Sequence, residues 1–565
     1  MEFVLAKFKS LWEFIKKNWA VVAVLLLTIP AIWDLLQPGF FPMHDDLQVF
    51  RLFELHKCVL DLQLPCRWVP DAGFGYGYPL MQFYPPMPYY PMELLKLLGL
   101  GYFWPVKIMF ALAFLVSGVG MYHLAKKLFG IWGGIFSAIL YVYAPYHSVD
   151  IYVRGAMNEA WGMAWFPLVL LYIYNLIHNP KSKKDFLLLS VFLSLQLTSH
   201  NVMTMVFAPT AIIWAIYWLV VTKNFQSILK LVISGILGVG LSAFFFLPVV
   251  LEQKFVHVDS MMVGYFNYLA HFVDLNQLFI TRFWGYGGST WGPEDGMSFS
   301  IGTLQWAFAF CASIFALFNL KRDKSKSIII ILLVFFGLGY AFLTHSKSVF
   351  IWDHLPLLQY AQFPWRLVAL IVFYFSLAAG FLFTIKISSL QKTLLLVPLI
   401  IMIITYNLAF FRVDRHSRVT IEEKLSGAQW ENQVTGGIFD YLPRTAPKPP
   451  GDPAFTVPKF VEGNGGITNY RTGSNWQTFS VRTSTPKAKI MLPLFTYQGL
   501  DVYVNGKKVK TEMDPELGRI VVSINQEHSY VEAKIWLTPI RLFSDLLSLF
   551  SLSYIIYLLR TKNGK

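Results

Sequence analysis

The sequence predicts an α-helical polytopic membrane protein of about twelve transmembrane helices with a C-terminal extracytoplasmic β-sandwich or jelly-roll domain. Three observations carry that expectation. Hydrophobic residues fill 55% of the 565 positions and charged residues only 14%, against about 25% charged in an ordinary soluble domain. Apolar runs long enough to cross a bilayer recur along the chain, and Lys and Arg gather in every second short loop between them. Near the C-terminus the pattern changes to the strand period of alternating apolar and polar residues. Intrinsic disorder, a secreted disulfide scaffold and a free cytosolic enzyme are all excluded.

The expected spans are 19–36, 105–125, 131–146, 160–177, 186–201, 203–221, 229–251, 300–319, 327–343, 363–385, 392–411 and 542–559. On one side, the segments 1–18, 124–130, 178–186, 222–230, 320–327, 386–392 and 560–565 hold 20 Lys and Arg against four acids. On the other, the short loops 147–159 and 344–362 hold one basic residue each, Arg154 and Lys347. Positive charge marks the cytoplasmic face, so the chain is expected in the cytoplasmic (inner) membrane with both termini inside. The net charge of +14 is therefore a topology signal, and no nucleic-acid partner is expected. The first span is expected to be a retained anchor, because Trp33-Asp34-Leu35-Leu36-Gln37-Pro38 lacks a small-residue cleavage pattern.

This divides the chain into a transmembrane domain, 1–411, a β domain, 412–540, and a final helix with a cytoplasmic tail, 541–565. A long first outer loop, 37–104, interrupts the transmembrane domain. Within it, Leu47–Leu62 mixes apolar and charged residues as an amphipathic helix lying in the membrane interface would. The Gly/Pro/aromatic run from Gly73 to Tyr90 reads as interface packing or as a platform for sugars. A second outer segment, 252–299, ends in Trp284-Gly285-Tyr286-Gly287-Gly288. In the β domain, Asp501-Val502-Tyr503-Val504, Asn505-Gly506 and Lys507-Lys508-Val509 spell a two-residue hairpin. Further strands are expected at Arg519–Ile524 and Tyr530–Trp536. Cys58 and Cys66 share the first outer loop, where they can stay as thiols or oxidise, and Cys311 reads as a buried apolar group within a span.

Ionisable groups near membrane depth are costly and are functional candidates by default. His44-Asp45-Asp46, Arg154 with Glu159, His200-Asn201 and Arg366 all fall at the expected outer ends of spans, and Arg67 lies in the first outer loop. Each also has a plain structural reading. Asp46 can cap the following helix, Arg154 and Glu159 can pair with each other, His200 can be a satisfied bundle histidine, and Arg366 can reach out to headgroups. The chemistry that uses them together is transfer of a sugar from a lipid phosphate. A carboxylate serves as general base on an acceptor hydroxyl, while Arg and His offset charge on the departing phosphate. No metal ligand set is expected; the Asp45-Asp46 pair could hold a divalent cation, but two acids do not define a site.

The stretches Met43-His44-Asp45-Asp46, Leu64-Pro65-Cys66-Arg67-Trp68-Val69-Pro70-Asp71 and Gly75-Tyr76-Gly77-Tyr78-Pro79 carry a resemblance, as do Tyr152-Val153-Arg154-Gly155-Ala156, Ser199-His200-Asn201 and Phe363-Pro364-Trp365-Arg366. They resemble a family of bacterial multi-spanning membrane proteins labelled as having a 6-pyruvoyl-tetrahydropterin-synthase-related domain, itself similar to GT-C superfamily glycosyltransferases. The resemblance implies a GT-C-like transmembrane fold and inverting transfer of a hexose or pentose from a polyprenyl-phosphate-linked donor to a glycan or protein acceptor of the cell envelope. Membrane lipids are the further partners it implies. Asp45 then leads as general base with Asp46 second, and Arg67, Arg154, Glu159, His200, Asn201 and Arg366 are expected to bind donor phosphate or substrate. Pterin-synthase chemistry needs a zinc-binding His cluster, which the sequence lacks. The alternatives are a transporter or flippase for a lipid-linked saccharide and a non-enzymatic glycan-assembly membrane protein.

Overall fold

The structure is a computed structural model that describes residues 12, 13, 15–292 and 294–561. Residues 1–11 and 562–565, which supply part of the orientation signal, lie outside the described residues. The described chain is mostly helical, with a β region near its C-terminus. The long helices are α1 (Trp19–Ile32), α2 (Gln48–Leu60), α3 (Phe103–Val142), α4 (Met157–His178), α5 (Lys183–Ser199), α6 (Asn201–Thr222) and α7 (Ser227–Glu252). They continue as α8 (Thr303–Asn319), α9 (Lys324–Leu343), α10 (Pro364–Thr384), α11 (Ser389–Asn407), α12 (Gly427–Thr435) and α13 (Pro539–Arg560).

Among the described residues, nine helices are long and apolar enough to cross a membrane, where the sequence predicts twelve spans. The difference has a simple origin. The expected spans 105–125 and 131–146 both fall in α3, which bends at Gly130, while α5 and α8 have 17 residues each. A bilayer core of ~30 Å asks for about 20 residues of straight helix.

The chain divides into two compact units. The first comprises the described residues of Met1–Asp45, Val106–Gly238 and Gly264–Arg418. Here α4 packs on α5 and α6, and α10 packs on α8 and α9. Helix α10 is apolar all round, and every residue from Val368 to Ala379 is buried, as a helix without a polar face must be. Cys311 departs from expectation. It is exposed on α8, on the same outward stripe as Ile314 and Phe318, because the helical period turns 311, 314 and 318 to one side.

The second unit comprises Asp46–Pro105, Val239–Val263 and the described residues of Val419–Lys565. Its nine strands are β1 (Lys459–Glu462), β2 (Gly465–Thr472), β3 (Trp476–Thr483), β4 (Ala488–Phe495), β5 (Leu500–Val504), β6 (Lys507–Val509), β7 (Glu512–Met513), β8 (Arg519–Ile524) and β9 (His528–Ile535). They form two antiparallel sheets, in the orders β1-β4-β8-β7 and β2-β3-β9-β5-β6. Alternate residues of both sheets, among them Phe479, Ile490, Val522 and Val531, share one buried apolar cluster. Val504 faces Lys507 across the Asn505-Gly506 turn, whose φ values of 51° and 75° match the left-handed turn such a pair favours.

Helix α2 has the expected two faces, but its apolar face is covered by protein. Phe50 and Phe53 meet Trp430 of α12 edge-on at 5.7 and 5.8 Å. Its charged residues Glu54 and Lys57 lie against each other inside the unit. Glu54 is buried against Lys57 and Asp71, and burial, reinforced by the Asp71 charge, holds its carboxyl well above the usual range. Cys58 and Cys66 are joined by a disulfide. The aromatic run beyond them packs inward, with Tyr76 against Phe495 at 5.2 Å and Phe83 stacked on Tyr441 at 5.9 Å. At the start of α13, Arg541 pairs with the buried Glu252 at 2.9 Å.

Candidate functional site

The candidate site of the first unit is built on the chain between α3 and α4. Pro145–Ser148 makes one helical turn, and a wider turn follows over Val149–Val153. The Arg154 N–H donates to the Val149 carbonyl at 2.8 Å, and the Ala156 N–H to that of Asp150 at 2.7 Å. Gly155 then takes φ +64°, a conformation that side chains resist. A Cβ there would sit 2.3 Å from Met43 Sδ. This close approach lays Met43–Asp45 along the turn, so that the His44 N–H donates to the Val153 carbonyl at 3.0 Å and the Asp45 N–H to that of Arg154 at 2.8 Å. Gly155→Ala is expected to destabilise the protein by roughly 1–3 kcal/mol, the range for left-handed strain and for overpacking. Thermal unfolding of the detergent-solubilised protein checks this, and an unchanged midpoint would mean that Met43 does not rest on Gly155.

Four charged side chains meet behind this turn, all at least nine-tenths buried: Asp150, Arg154, Glu159 and Arg366. Arg154 bridges Asp150 and Glu159, reaching Glu159 Oε2 at 2.9 Å. Arg366 Nε lies 3.4 Å from the same Oε2, and the Tyr146 hydroxyl donates to Glu159 Oε1 at 2.7 Å. The guanidinium of Arg154 lies 4.5 Å from the Trp365 ring centre, and that of Arg366 4.8 Å from the Phe363 ring centre. Arg366 also donates from Nη1 to the Ala361 carbonyl and to Gln362 Oε1, both at 2.8 Å. It therefore points into the protein, and the headgroup reading of this residue is replaced. The Arg154–Glu159 pair of the plain reading is present as one edge of a larger network.

Charges this deep persist only when paired. Burial, reinforced by the Glu159 charge, pushes the Asp150 carboxyl well above the usual carboxylate range. Among the described residues Asp150 Oδ2 has no hydrogen-bond partner. Arg154 and Arg366 both reach Glu159 Oε2, so two guanidinium groups gather around one shared carboxylate.

His200 occupies the N-cap of α6, where Nδ1 accepts the Met203 N–H at 3.0 Å. It lies within electrostatic range of Arg366, Glu159 and Arg154. The α5–α6 turn is tied to α4 by Asn158 Nδ2, which donates to the Ser199 carbonyl at 2.8 Å, and by Trp165 Nε1, which donates to Ser199 Oγ at 3.1 Å. Asn201 opens α6 and is exposed. His44 Nε2 is 3.0 Å from the carbonyl of Tyr286, so the glycine-rich end of the second outer segment joins the same neighbourhood.

The two remaining candidates belong to the second unit. Asp46 does not cap α2, whose N-cap is Leu47 with no side-chain bond; its Oδ2 instead accepts from Lys424 Nζ at 2.5 Å. Arg67 is held by Asp545 at 2.6 Å and by the Phe244 carbonyl at 3.1 Å. Asp150, Tyr146 and Trp365 were not among the sequence candidates. Asp150 stands four positions before Arg154 and Trp365 immediately before Arg366, and those spacings are the signal that could have found them. As for a divalent cation, among the described residues no three His, Cys, Asp or Glu side chains come together as a metal site.

His147 is buried beside the network, edge-on to Tyr141 at 4.5 Å, with no hydrogen bond to Nε2 among the described residues. Burial pushes its pKa down to about 3. The unfolded chain, titrating near 6.5, therefore binds the proton first, and stability falls as pH drops below that value. The slope is about 1.4 kcal/mol per pH unit down to the folded pKa. His147→Phe is expected to flatten the loss of stability between pH 6.5 and 5 by about 2 kcal/mol. Melting temperatures across that range check it, and an unaltered profile would rule out His147 as a source of acid sensitivity.

Residues 84–251 match the dolichyl-phosphate-mannose-protein mannosyltransferase family. The segment contains Arg154, Glu159 and His200. An uncharacterized protein of Lactococcus lactis subsp. cremoris (strain MG1363) is 22% identical over 363 residues, which is 61% of this chain and 54% of that protein. The chain thus spans about half the length of this relative. ArnT from Cupriavidus metallidurans, solved bound to undecaprenyl phosphate, is similar with a TM-score of 0.41 and 14% identity, over 67% of this chain and 62% of that one. The Archaeoglobus fulgidus oligosaccharyltransferase in its apo form is similar with a TM-score of 0.43 and 12% identity, over 75% and 59%.

Proposed function

We propose that the chain is a multi-pass membrane glycosyltransferase of the GT-C type. It takes a sugar from a polyprenyl-phosphate-linked donor and passes it, with inversion, to a cell-envelope glycan or protein on the extracytoplasmic side. The observation that carries this reading is the docking of the Asp45 backbone on Arg154, which sets a half-buried carboxylate-bearing residue beside a buried network of two arginines. The family match over 84–251 supports the chemical class. Asp45 takes the proton of the acceptor hydroxyl, whose oxygen attacks the anomeric carbon from the face opposite the phosphate. The bond from that carbon to the phosphate oxygen breaks with its electron pair left on the phosphate. Arg154 and Arg366 offset the charge that develops there. Glu159 and Asp150 hold the two guanidinium groups in place, and His200 and Asn201 border the donor. Asp46 follows Asp45 in the chain and is held by Lys424, and Arg67 is held by Asp545. The loop charges favour both termini in the cytoplasm and the β region outside.

Incubation of the purified full chain with a panel of polyprenyl-phosphate sugars and envelope acceptors tests the reading. Transfer with inverted anomeric configuration is the expected result. Retention of configuration, or no transfer from any polyprenyl-phosphate donor, would overturn it.

A further inference from the structure

The second unit contains a cleft that sugar transfer at Asp45 leaves without a role. It encloses about 460 Å³, within the ~300–1,000 Å³ usual for small-ligand sites. Seven aromatic residues line it, among them Trp430 from α12, Phe455 from the chain before β1, Tyr470 from β2 and Trp476 at the start of β3. None of these four is fully buried. Trp430 is steadied from behind by Phe50 and Phe53 of α2. The turn before Trp476 is fixed from α2's end of the unit, since Asp61 accepts the Ser474 N–H and Gln63 Nε2 donates to Ser474 Oγ at 3.0 Å. The aromatic walls are thus set by the fold before any ligand arrives.

Gln477 also lines the cleft and is 7% exposed. Its Nε2 donates to the Pro493 carbonyl at 3.3 Å, while among the described residues its buried Oε1 has no partner. A buried acceptor left unmatched calls for a donor. The charged residues lining the cleft are Asp71 and Glu431, and no Lys or Arg is among the lining residues. Asp71 is paired with Lys57, and a phosphate, sulfate or uronate would meet Glu431 with no Lys or Arg lining the cleft. A ligand with flat C–H faces for the aromatic rings, hydroxyl donors for Gln477 and no negative charge satisfies every feature.

We propose that this cleft is a saccharide-binding site for neutral or amino-sugar oligosaccharides. It stands apart from the transfer reading, since binding needs neither a donor nor Asp45. The test uses the full-length chain in lipid nanodiscs, because detergents with sugar headgroups would compete. Chitotriose, maltotriose and trigalacturonate are titrated with no lipid-linked donor present, by calorimetry and saturation-transfer NMR. Saturable binding of chitotriose or maltotriose, with trigalacturonate bound more weakly by roughly tenfold or more, is expected. Gln477→Leu removes the acceptor, and Thr456→Trp fills the cleft from an exposed lining position that disturbs no buried group. Each is expected to weaken binding roughly tenfold or more, with the melting temperature unchanged in Thr456→Trp. No saturable binding of either neutral sugar, trigalacturonate binding equally well, or unchanged binding in the folded Thr456→Trp variant would each overturn the proposal.

Discussion

Asp45→Asn is expected to lower the rate of sugar transfer by roughly 10²–10⁴-fold, the usual contribution of a general base. The substitution keeps the shape of the side chain and removes its negative charge and its capacity to take a proton. Backbone groups that the substitution does not touch help to dock the loop. The N–H groups of His44 and Asp45 bind the carbonyls of Val153 and Arg154, and Gly155 leaves room for Met43. The fold should therefore be as stable as in the wild type, which thermal unfolding verifies alongside the rate. Asp46→Asn supplies the contrast. Its carboxylate is engaged by Lys424, so that change is expected to act through positioning and to reduce the rate far less. A wild-type rate in Asp45→Asn removes this residue as the base, and a larger loss in Asp46→Asn transfers the role to its neighbour.

The membrane-class helices were legible in the sequence because length and apolarity are local properties. The β5–β6 hairpin was legible for the same reason, with Asn505-Gly506 imposing its turn between alternating residues. What local pattern cannot encode is the identity of the covering surface. Helix α2 has two faces whether lipid or protein lies on the apolar one, and here Trp430, far along the chain, lies against it. Asp46 is a good cap by residue type, yet its partner Lys424 is 378 positions away, and Leu47 takes the cap position instead. Arg366 begins a span, where an arginine commonly reaches outward. The buried Glu159, contributed by a different helix, gives its guanidinium an interior partner. Of the network, the sequence exposed Arg154, Glu159 and Arg366 because each is a rare charge beside an apolar run. Asp150 was missed although it obeys the same rule, since its proximity to Arg154 depends on the wide turn at Val149–Val153.

Arg154→Met is expected to destabilise the protein by roughly 3–5 kcal/mol, the loss typical when one partner of a buried ion pair is removed. Methionine fills much of the same volume and can still lie on Trp365, so lost packing is a small part of the effect. The larger part is that Asp150 and Glu159, 0% and 1% exposed, lose the group that bridges them. Arg366 stays near Glu159 but makes no ion pair with Asp150, so Asp150 is the more stranded of the two. That asymmetry makes a double variant informative. Asp150→Asn alone should cost little, because burial already holds that carboxyl toward its neutral form. In the Arg154→Met background the same change should recover about 1–3 kcal/mol by removing a carboxyl with no partner. Thermal unfolding of the two single variants and the double variant yields the coupling. Additive effects would mean that Arg154 stabilises the fold by some route other than Asp150. A stable Arg154→Met protein would show that these carboxyls do not need its charge, and the positive network proposed to meet the donor phosphate would lose its central member.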